Sequence, residues 1–191
     1  MTTKVKIRVA STLAVLIILA LGVRAWQKAH VPRPDPRARQ IYLTLNPYGS
    51  AESPEFWIRV TEHPDEKANT FLAGSFYMFD AGPSDSGPWT NIMTVHLDDP
   101  DPIPVNNVQF ISDKVGYVFL YDKLAVTSDA GLSWSSWELG RANAEWRPKR
   151  AYILNVNLLA DGSGTMEIEV FASGKTIKLH TRDFGKNWTP E

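Results

Sequence analysis

The residues best suited to chemistry are carboxylates and histidines. Three aspartates follow one another closely at Asp98, Asp99 and Asp101. Such a run suits calcium, which takes about six to eight oxygen ligands. However, Pro100 and Pro102 interrupt the run, and no glycine centres a ligand loop. We therefore predict an exposed acidic turn, which could contact a partner, rather than a calcium site.

The histidines form no metal-binding or nucleophile pattern. His63, His96 and His180 stand apart in the sequence, and none lies beside a serine in the context of a nucleophile elbow. The chain has no cysteine, which excludes disulfides, thiolate metal sites and a cysteine nucleophile. No glycine loop of the phosphate-binding kind is present. We expect a protein that is not an enzyme and that holds no metal or cofactor.

One eight-residue pattern occurs twice in the second half of the chain. Residues 127–134 (box 1) and residues 181–188 (box 2) both read Thr-x-Asp-x-Gly-x-x-Trp, with equivalent residues 54 positions apart. The aspartate can accept backbone hydrogen bonds, the glycine allows positive φ, and the tryptophan can cover the turn. We therefore expect the following residues to build turns: Thr127, Asp129, Gly131, Trp134, Thr181, Asp183, Gly185 and Trp188.

The boxes resemble the Asp-box (BNR) repeat of sialidase-like β-proteins. The resemblance implies hairpin turns on propeller-like sheets, in which the box is structural and not catalytic. A sialidase-like site would also need an arginine cluster, a Tyr–Glu nucleophile pair and an acid. The residues of these types stand in no recognisable motif: Arg59, Arg141, Arg182, Tyr117, Tyr121, Tyr152, Glu167 and Glu169. The two glutamates alternate with apolar residues, so we expect them on the solvated face of a strand.

The elements that carry the boxes are predicted to be strands. From residue 40 onward, short apolar runs and period-two alternation are bounded by Gly, Pro, Asn and Asp. Residues 105–140 and 150–191 each read as a four-stranded unit, and residues 40–104 as a degenerate unit without a box. The expected fold class is all-β, a small and incomplete propeller-like domain of antiparallel four-stranded units. The last unit nearly lacks its fourth strand, which an N-terminal strand could supply.

The amino terminus is predicted to be a targeting segment. An uncharged run over residues 9–23 follows three bases, which is typical of a helix whose N-terminus stays in the cytoplasm. We expect residues 1–28 to be an uncleaved single-pass anchor in the inner membrane, a cleaved signal being the alternative. Residues 29–39 are rich in proline and predict an extended stalk. Both outcomes place residues 40–191 in the periplasm.

Charge is divided unevenly along the chain. Residues 1–39 hold eight Lys or Arg and one acid, which leaves twelve bases and twenty acids in residues 40–191. An acidic body is a poor nucleic-acid binder, because phosphate affinity needs clustered bases. Residues 141–150 differ, since they place a tryptophan among four bases, although a plain connecting loop is the alternative. The candidate partner contacts are Arg141, Trp146, Arg147, Lys149, Arg150, Asp98, Asp99 and Asp101.

Export, size, absence of cysteine and the boxed repeats together are similar to the Asp-box immunity proteins of type VI secretion systems. The resemblance implies a non-enzymatic periplasmic protein that occludes a toxic, lipase-like secreted effector. Two alternatives stay open. One is an extracytoplasmic assembly or scaffold factor for a membrane complex, and the other is a glycan-binding or degenerate sialidase-like domain.

Overall fold

The structure is a computed structural model. It describes residues 36–49, 55–65, 74–98, 105–142, 151–171 and 173–191. The predicted anchor at 1–28 and most of the predicted stalk lie outside the described residues. Within the described part of the chain, no helix has the length and apolarity that crossing a membrane requires. Arg37–Glu191 forms one compact unit.

The described chain folds into three four-stranded antiparallel sheets, in which consecutive strands are neighbours. Sheet 1 contains β1 (Arg39–Leu45), β2 (Trp57–Pro64), β3 (Ser75–Gly82) and β4 (Thr90–Leu97). Sheet 2 contains β5 (Val108–Phe110), β6 (Gly116–Leu120), β7 (Lys123–Thr127) and β8 (Ser135–Glu138). Sheet 3 contains β9 (Ala151–Leu158), β10 (Gly164–Val170), β11 (Lys175–Thr181) and β12 (Thr189–Pro190). A 3-10 turn (Val105–Asn107) precedes β5, and the short helix α1 (Leu139–Ala142) follows β8.

The predicted all-β class and the antiparallel four-stranded units are confirmed. The expectation that an N-terminal strand completes the last unit is wrong. The first strand, β1, pairs with β2 over most of its length. The fourth strand of sheet 3 is instead β12, whose two residues pair with Leu179 and His180 of β11. The third strand, β3, ends at Gly82, where it faces Trp57 of β2.

Sheet 2 lies between the other two sheets. All five residues of β6 are buried. Successive side chains of a strand point to opposite faces. Accordingly, Val118 and Leu120 join the core shared with sheet 1, whereas Tyr117 and Phe119 join the core shared with sheet 3. A strand buried on both faces reads as a continuous apolar run, which is the pattern of β6.

The outer face of β10 carries charged residues. Along β10, Met166 and Ile168 are buried, whereas Glu167 and Glu169 are half-exposed. Lys178 of β11 lies 3.5 Å from Glu167, with its Nζ directed at Oε1. The alternation in the sequence therefore predicts the solvated face of this strand correctly.

Candidate functional site

Box 1 is a closed turn in which threonine and aspartate hold each other. Thr127 Oγ1 donates to Asp129 Oδ1 at 2.9 Å and accepts the Gly131 N–H at 2.9 Å. Ser133 donates twice to the same carboxylate, from its N–H to Oδ1 at 2.9 Å and from its hydroxyl to Oδ2. Thr127 is only 1% exposed. Its hydroxyl is therefore satisfied within the turn and not by bulk water.

Box 2 repeats this hydrogen-bond pattern. Thr181 Oγ1 donates to Asp183 Oδ1 at 2.8 Å and accepts the Gly185 N–H at 3.1 Å. Asn187 takes the place of the serine, and donates from its N–H to Oδ1 at 3.0 Å and from Nδ2 to Oδ2 at 2.6 Å. The two boxes thus use the same four-donor arrangement with different side chains at one position.

Each box is also tied to the turn between the first two strands of its own sheet. Ala130 and Phe184 occupy equivalent box positions, and both have a φ of 59°. Ala130 N–H donates to Lys114 O, and Phe184 N–H donates to Gly162 O, both at 2.9 Å. Non-glycine residues seldom adopt this left-handed conformation. Here it aims a backbone donor at the neighbouring turn.

The box carboxylates are ionised acceptors. Burial would raise the pKa of Asp129, but hydrogen bonds from Ser133 and Thr127 outweigh it and hold the pKa below its ordinary value. Hydrogen bonds from the backbone and side chain of Asn187 lower the pKa of Asp183. A general acid or base works best with a pKa near the working pH. The low pKa values and the full set of donors suit a structural role for both groups.

The box tryptophans join each sheet to the one before it. Trp134 packs edge-on against Phe56, with ring centroids 6.1 Å apart, and Phe56 directly precedes β2 of sheet 1. Trp188 meets Trp137 of β8 with centroids 6.2 Å apart. Large aromatic surfaces supply much of the burial at such contacts. The boxes therefore stabilise both a turn and a contact between sheets.

Sheet 1 has a shortened relative of the box in its corresponding loop. Asp85-Ser86-Gly87-Pro88-Trp89 keeps the Asp-x-Gly spacing but has one residue fewer before the tryptophan. Gly87 has a φ of 92°, and a Cβ added at Gly82 would lie 2.9 Å from the Trp89 ring. Ser84 Oγ donates to Gly87 O at 2.8 Å and so helps to hold this loop. The shortened spacing is the sequence signal that could have revealed it.

Arg59, one of the arginines considered for carboxylate binding, is engaged within sheet 1. Its guanidinium lies 4.4 Å above the Trp89 ring, and its Nη2 donates to Asp80 Oδ2 at 2.8 Å. Asn91 Nδ2 donates to Asp80 Oδ1 at 3.0 Å. The Asp80 side chain is 8% exposed. A cation–π contact and a shielded ion pair together hold Arg59 in place.

The tyrosine candidates are also engaged. Tyr152 OH donates to Glu169 Oε2 at 2.6 Å, and this hydrogen bond raises the pKa of Tyr152. Tyr117 OH donates to Val156 O at 2.7 Å, and burial raises the pKa of Tyr117 to about 12. Tyr121 stacks on Tyr152 with ring centroids 6.5 Å apart. A nucleophile is activated by a lowered pKa. The pKa values of Tyr117 and Tyr152 are raised instead, which does not favour a nucleophilic role for either hydroxyl.

Of the predicted partner contacts, Arg141 and Asp98 lie within the described residues. The Arg141 side chain is 85% exposed, with Nε 3.4 Å from Glu138 Oε2. Asp98 Oδ1 lies 3.6 Å from His96 Nδ1, and the Nε2 of that ring lies 3.1 Å from Asp65 Oδ2. His96 is therefore not isolated, because the fold brings two carboxylates to it. The remaining predicted contacts lie outside the described residues: Trp146, Arg147, Lys149, Arg150, Asp99 and Asp101.

An open cleft lies between sheets 1 and 2, beside β4 and β8. Its larger part, of about 410 Å³, is lined by polar groups and by six apolar or aromatic residues larger than alanine. These six are Phe56, Pro83, Pro88, Ile92, Leu132 and Trp134. A smaller part of about 260 Å³ shares Ile92 with it and continues to Lys123 and Arg141. Leu132 is 78% exposed at the tip of box 1. The sequence did not single out this cleft or Leu132.

Among the described residues, no group of three or more histidine, aspartate or glutamate side chains is placed to hold a metal ion. No family model matches the sequence, and no curated protein or solved structure matches it significantly. The boxes and the cleft are therefore the features from which a function can be inferred.

Proposed function

We propose that the chain is a non-enzymatic protein-binding module of the periplasm. Its partner in this proposal is a toxic, lipase-like secreted effector, which it neutralises as an immunity protein by covering the effector's active site. The three sheets form a small, incomplete propeller-like domain, and residues 1–28 anchor it to the inner membrane. The observation that carries the proposal is the exposed Leu132, 78% accessible, beside a cleft with a partly apolar lining.

The engagement of the polar groups supports a role without chemistry. The carboxylates of both boxes accept three hydrogen bonds each from side chains and backbone of their own turns. Arg59 is held by Asp80 and Trp89, and Tyr152 is held by Glu169. A catalytic centre needs a nucleophile within hydrogen-bond reach of a suitable base. These groups instead stabilise their own sheets and turns.

The contrast between the two boxes supports a binding role for box 1. Leu132 of box 1 and Lys186 of box 2 occupy the same position of the pattern. Both are exposed, so the turn itself does not require an apolar residue there. A single exposed leucine is ordinary, but one at the rim of a partly apolar cleft is typical of an interaction surface. The acidic charge of residues 40–191 also suits a partner with a basic surface.

Growth under co-expression tests the proposal. The product of the adjacent gene is directed to the periplasm, alone or with the full chain, and a variant of that product lacking its catalytic nucleophile serves as the control. We expect the active product to arrest growth and the chain to restore it. Growth arrest that the chain does not relieve would contradict the immunity function. Co-purification with an inner-membrane complex when no effector is expressed would favour the scaffold alternative.

A separate observation favours glycan binding as a second candidate. The Tyr152 ring neighbours those of Tyr121 and Phe171, with ring centroids 6.5 and 4.9 Å away. Phe171 is 49% exposed. Neighbouring aromatic rings offer apolar faces, and the Tyr152–Glu169 pair adds polar atoms next to them. Binding on a glycan array that is lost in Phe171→Ala would support this candidate, and an array without bound glycans would contradict it.

A further inference from the structure

We infer that the cleft between sheets 1 and 2 binds an extended segment of the protein partner, and that Leu132 packs against an apolar side chain of that segment. The inference rests on the proposed function, for which it names the contact surface and the kind of segment bound. The segment lies beside β4 and over the face of β8.

The floor of the cleft is the face of β8 that points toward sheet 1. Ser136 and Glu138 pair with Ala125 and Lys123 of β7, and Ala125 belongs to the core shared with sheet 1. Residues on one face of a sheet follow this pairing, so Ser136 and Glu138 face the same way as Ala125. Both line the cleft. Ser136 is exposed, because in the described chain sheet 1 ends at β4 and leaves this face uncovered.

One wall of the cleft is the edge of β4. An edge strand presents backbone N–H and C=O groups that match another extended chain, and peptide recognition often uses such edges. Lys123 Nζ donates to Thr94 O at 2.8 Å and so occupies one edge carbonyl of β4. The rest of this edge is short, because Met93 lies opposite Phe79 of β3 and its carbonyl accepts the Asn91 Nδ2 at 3.3 Å. Thr90–Ile92 therefore remains, which corresponds to roughly 10 Å of extended chain. The chemistry of the edge therefore selects a short peptide segment.

The end of the cleft at box 1 selects an apolar side chain. Leu132 and Trp134 of box 1, together with Pro88 and Ile92 from sheet 1, line this end. Burying apolar surface stabilises a complex in proportion to the area removed from water. Leu132, at 78% exposed, has the largest exposed fraction among the large exposed apolar residues of the described chain. We therefore assign it as the anchor of the contact.

The repeat supplies a matched substitution for testing the anchor. Box 2 has Lys186 where box 1 has Leu132, and it closes with the same hydrogen bonds. Leu132→Lys is therefore compatible with the turn, and it places a charge at the rim of the cleft. Ser136→Arg is a second variant, which fills the floor from an exposed position. Lys186→Ala is the control, since it changes the equivalent position outside the cleft.

The probe is a phage-displayed library of random heptapeptides, selected against the full chain in lipid nanodiscs. We expect selected peptides to carry an apolar residue and to bind Leu132→Lys and Ser136→Arg at least about tenfold more weakly than wild type. Binding to Lys186→Ala should be unchanged. Hydrogen exchange at Thr90–Ile92 should slow when the peptide binds, because strand addition protects edge amides. Urea midpoints equal to wild type establish that the variants fold.

Several outcomes would overturn the inference. A library without selected binders would do so, as would peptides that bind all four proteins equally. Concentration-dependent self-association of the wild type that is lost in Leu132→Lys would assign the cleft to a second copy of the chain instead. The growth assay separates this inference from the proposed function. If Leu132→Lys and Ser136→Arg neutralise the effector as wild type does, the surface is wrong and the function stands. If wild type fails to neutralise, the function itself fails.

Discussion

Replacing Asp129 or Asp183 by alanine removes the acceptor around which each box closes. In box 1 the carboxylate accepts the hydroxyl of Thr127 at 2.9 Å and two donors of Ser133. The two kinds of donor respond differently to the substitution. Ser133 is exposed, so its N–H and hydroxyl can bond to water instead. Thr127 is 1% exposed, and its hydroxyl is left without an acceptor.

The expected loss of stability follows from this buried hydroxyl. A buried polar group deprived of its partner costs about 1–3 kcal/mol. Thr181 of box 2 is 4% exposed and loses the same bond, so the expected loss is of the same size for both variants. In a chain of this length, 1 kcal/mol corresponds to roughly 2–4 °C in Tm, so a decrease of about 2–12 °C is expected.

Thermal unfolding of the full chain, followed by tryptophan fluorescence, measures this loss. Asp161→Ala is the matched control, because Asp161 accepts the N–H of Ser163 at 2.9 Å and its hydroxyl at 2.7 Å in an exposed turn. Since both donors stay accessible to water, the Tm of this variant should remain near that of wild type. The reasoning fails if Asp129→Ala and Asp183→Ala unfold at the wild-type Tm, or if Asp161→Ala loses as much as they do.

Three further substitutions test other parts of the structure through urea midpoints. Gly131→Ala should destabilise the fold more than Gly174→Ala. Both glycines have positive φ, which costs an alanine about 1–2 kcal/mol. At Gly131 the added Cβ would also lie 2.9 Å from the Phe56 ring, whereas at Gly174 it would meet nothing within 4 Å. Equal losses would contradict the clash. Burial raises the pKa of Asp122, so its ionised form lowers the free energy of unfolding above the unfolded pKa of about 4. Asp122→Asn should therefore gain stability relative to wild type between about pH 3 and pH 7, and a constant difference would argue against it. Tyr117→Phe should lower the free energy of unfolding by about 1 kcal/mol, because it removes the hydrogen bond to Val156 O. An unchanged free energy of unfolding would show that this hydrogen bond does not stabilise the fold.

Acid should weaken the boxes. The folded pKa values of Asp129 and Asp183 are lowered by their hydrogen bonds, so their contribution to stability is complete above the unfolded pKa of about 3.9. It is lost as the pH falls through the folded pKa values. The wild-type urea midpoint should therefore decrease below about pH 4, and Asp129→Asn/Asp183→Asn should decrease less. Parallel pH profiles for the two proteins would contradict this assignment.

The sequence predicts the boxes well because their chemistry is local. The acceptor, the glycine and the donor at the seventh position lie within eight residues, so the pattern contains nearly the whole turn. The strands of sheets 2 and 3 are predictable for a similar reason, since alternation reports which face is buried. Sequence reasoning did not anticipate positive φ at Ala130 and Phe184, where the neighbouring turn and not the residue type sets the conformation.

The cleft was not predictable because it depends on contacts between distant parts of the chain. It forms between β4 of sheet 1 and β8 of sheet 2, and box 1 lines it beside Phe56, on which Trp134 packs. The surroundings of His96 arise in the same way, since Asp65 comes from the end of β2. Composition and spacing record none of these juxtapositions. Leu132 stands in the sequence as one variable position of a repeated motif.

The central claim is that the boxes stabilise the fold and that the cleft, a separate surface, binds the proposed partner. Affinity for the proposed effector per folded molecule, measured for Asp183→Ala and Leu132→Lys, tests it most directly. We expect Asp183→Ala to unfold more easily and to bind as tightly as wild type once corrected for the folded fraction. Leu132→Lys should unfold like wild type and bind at least about tenfold more weakly. Weaker binding by folded Asp183→Ala, together with unchanged binding by Leu132→Lys, would contradict the claim.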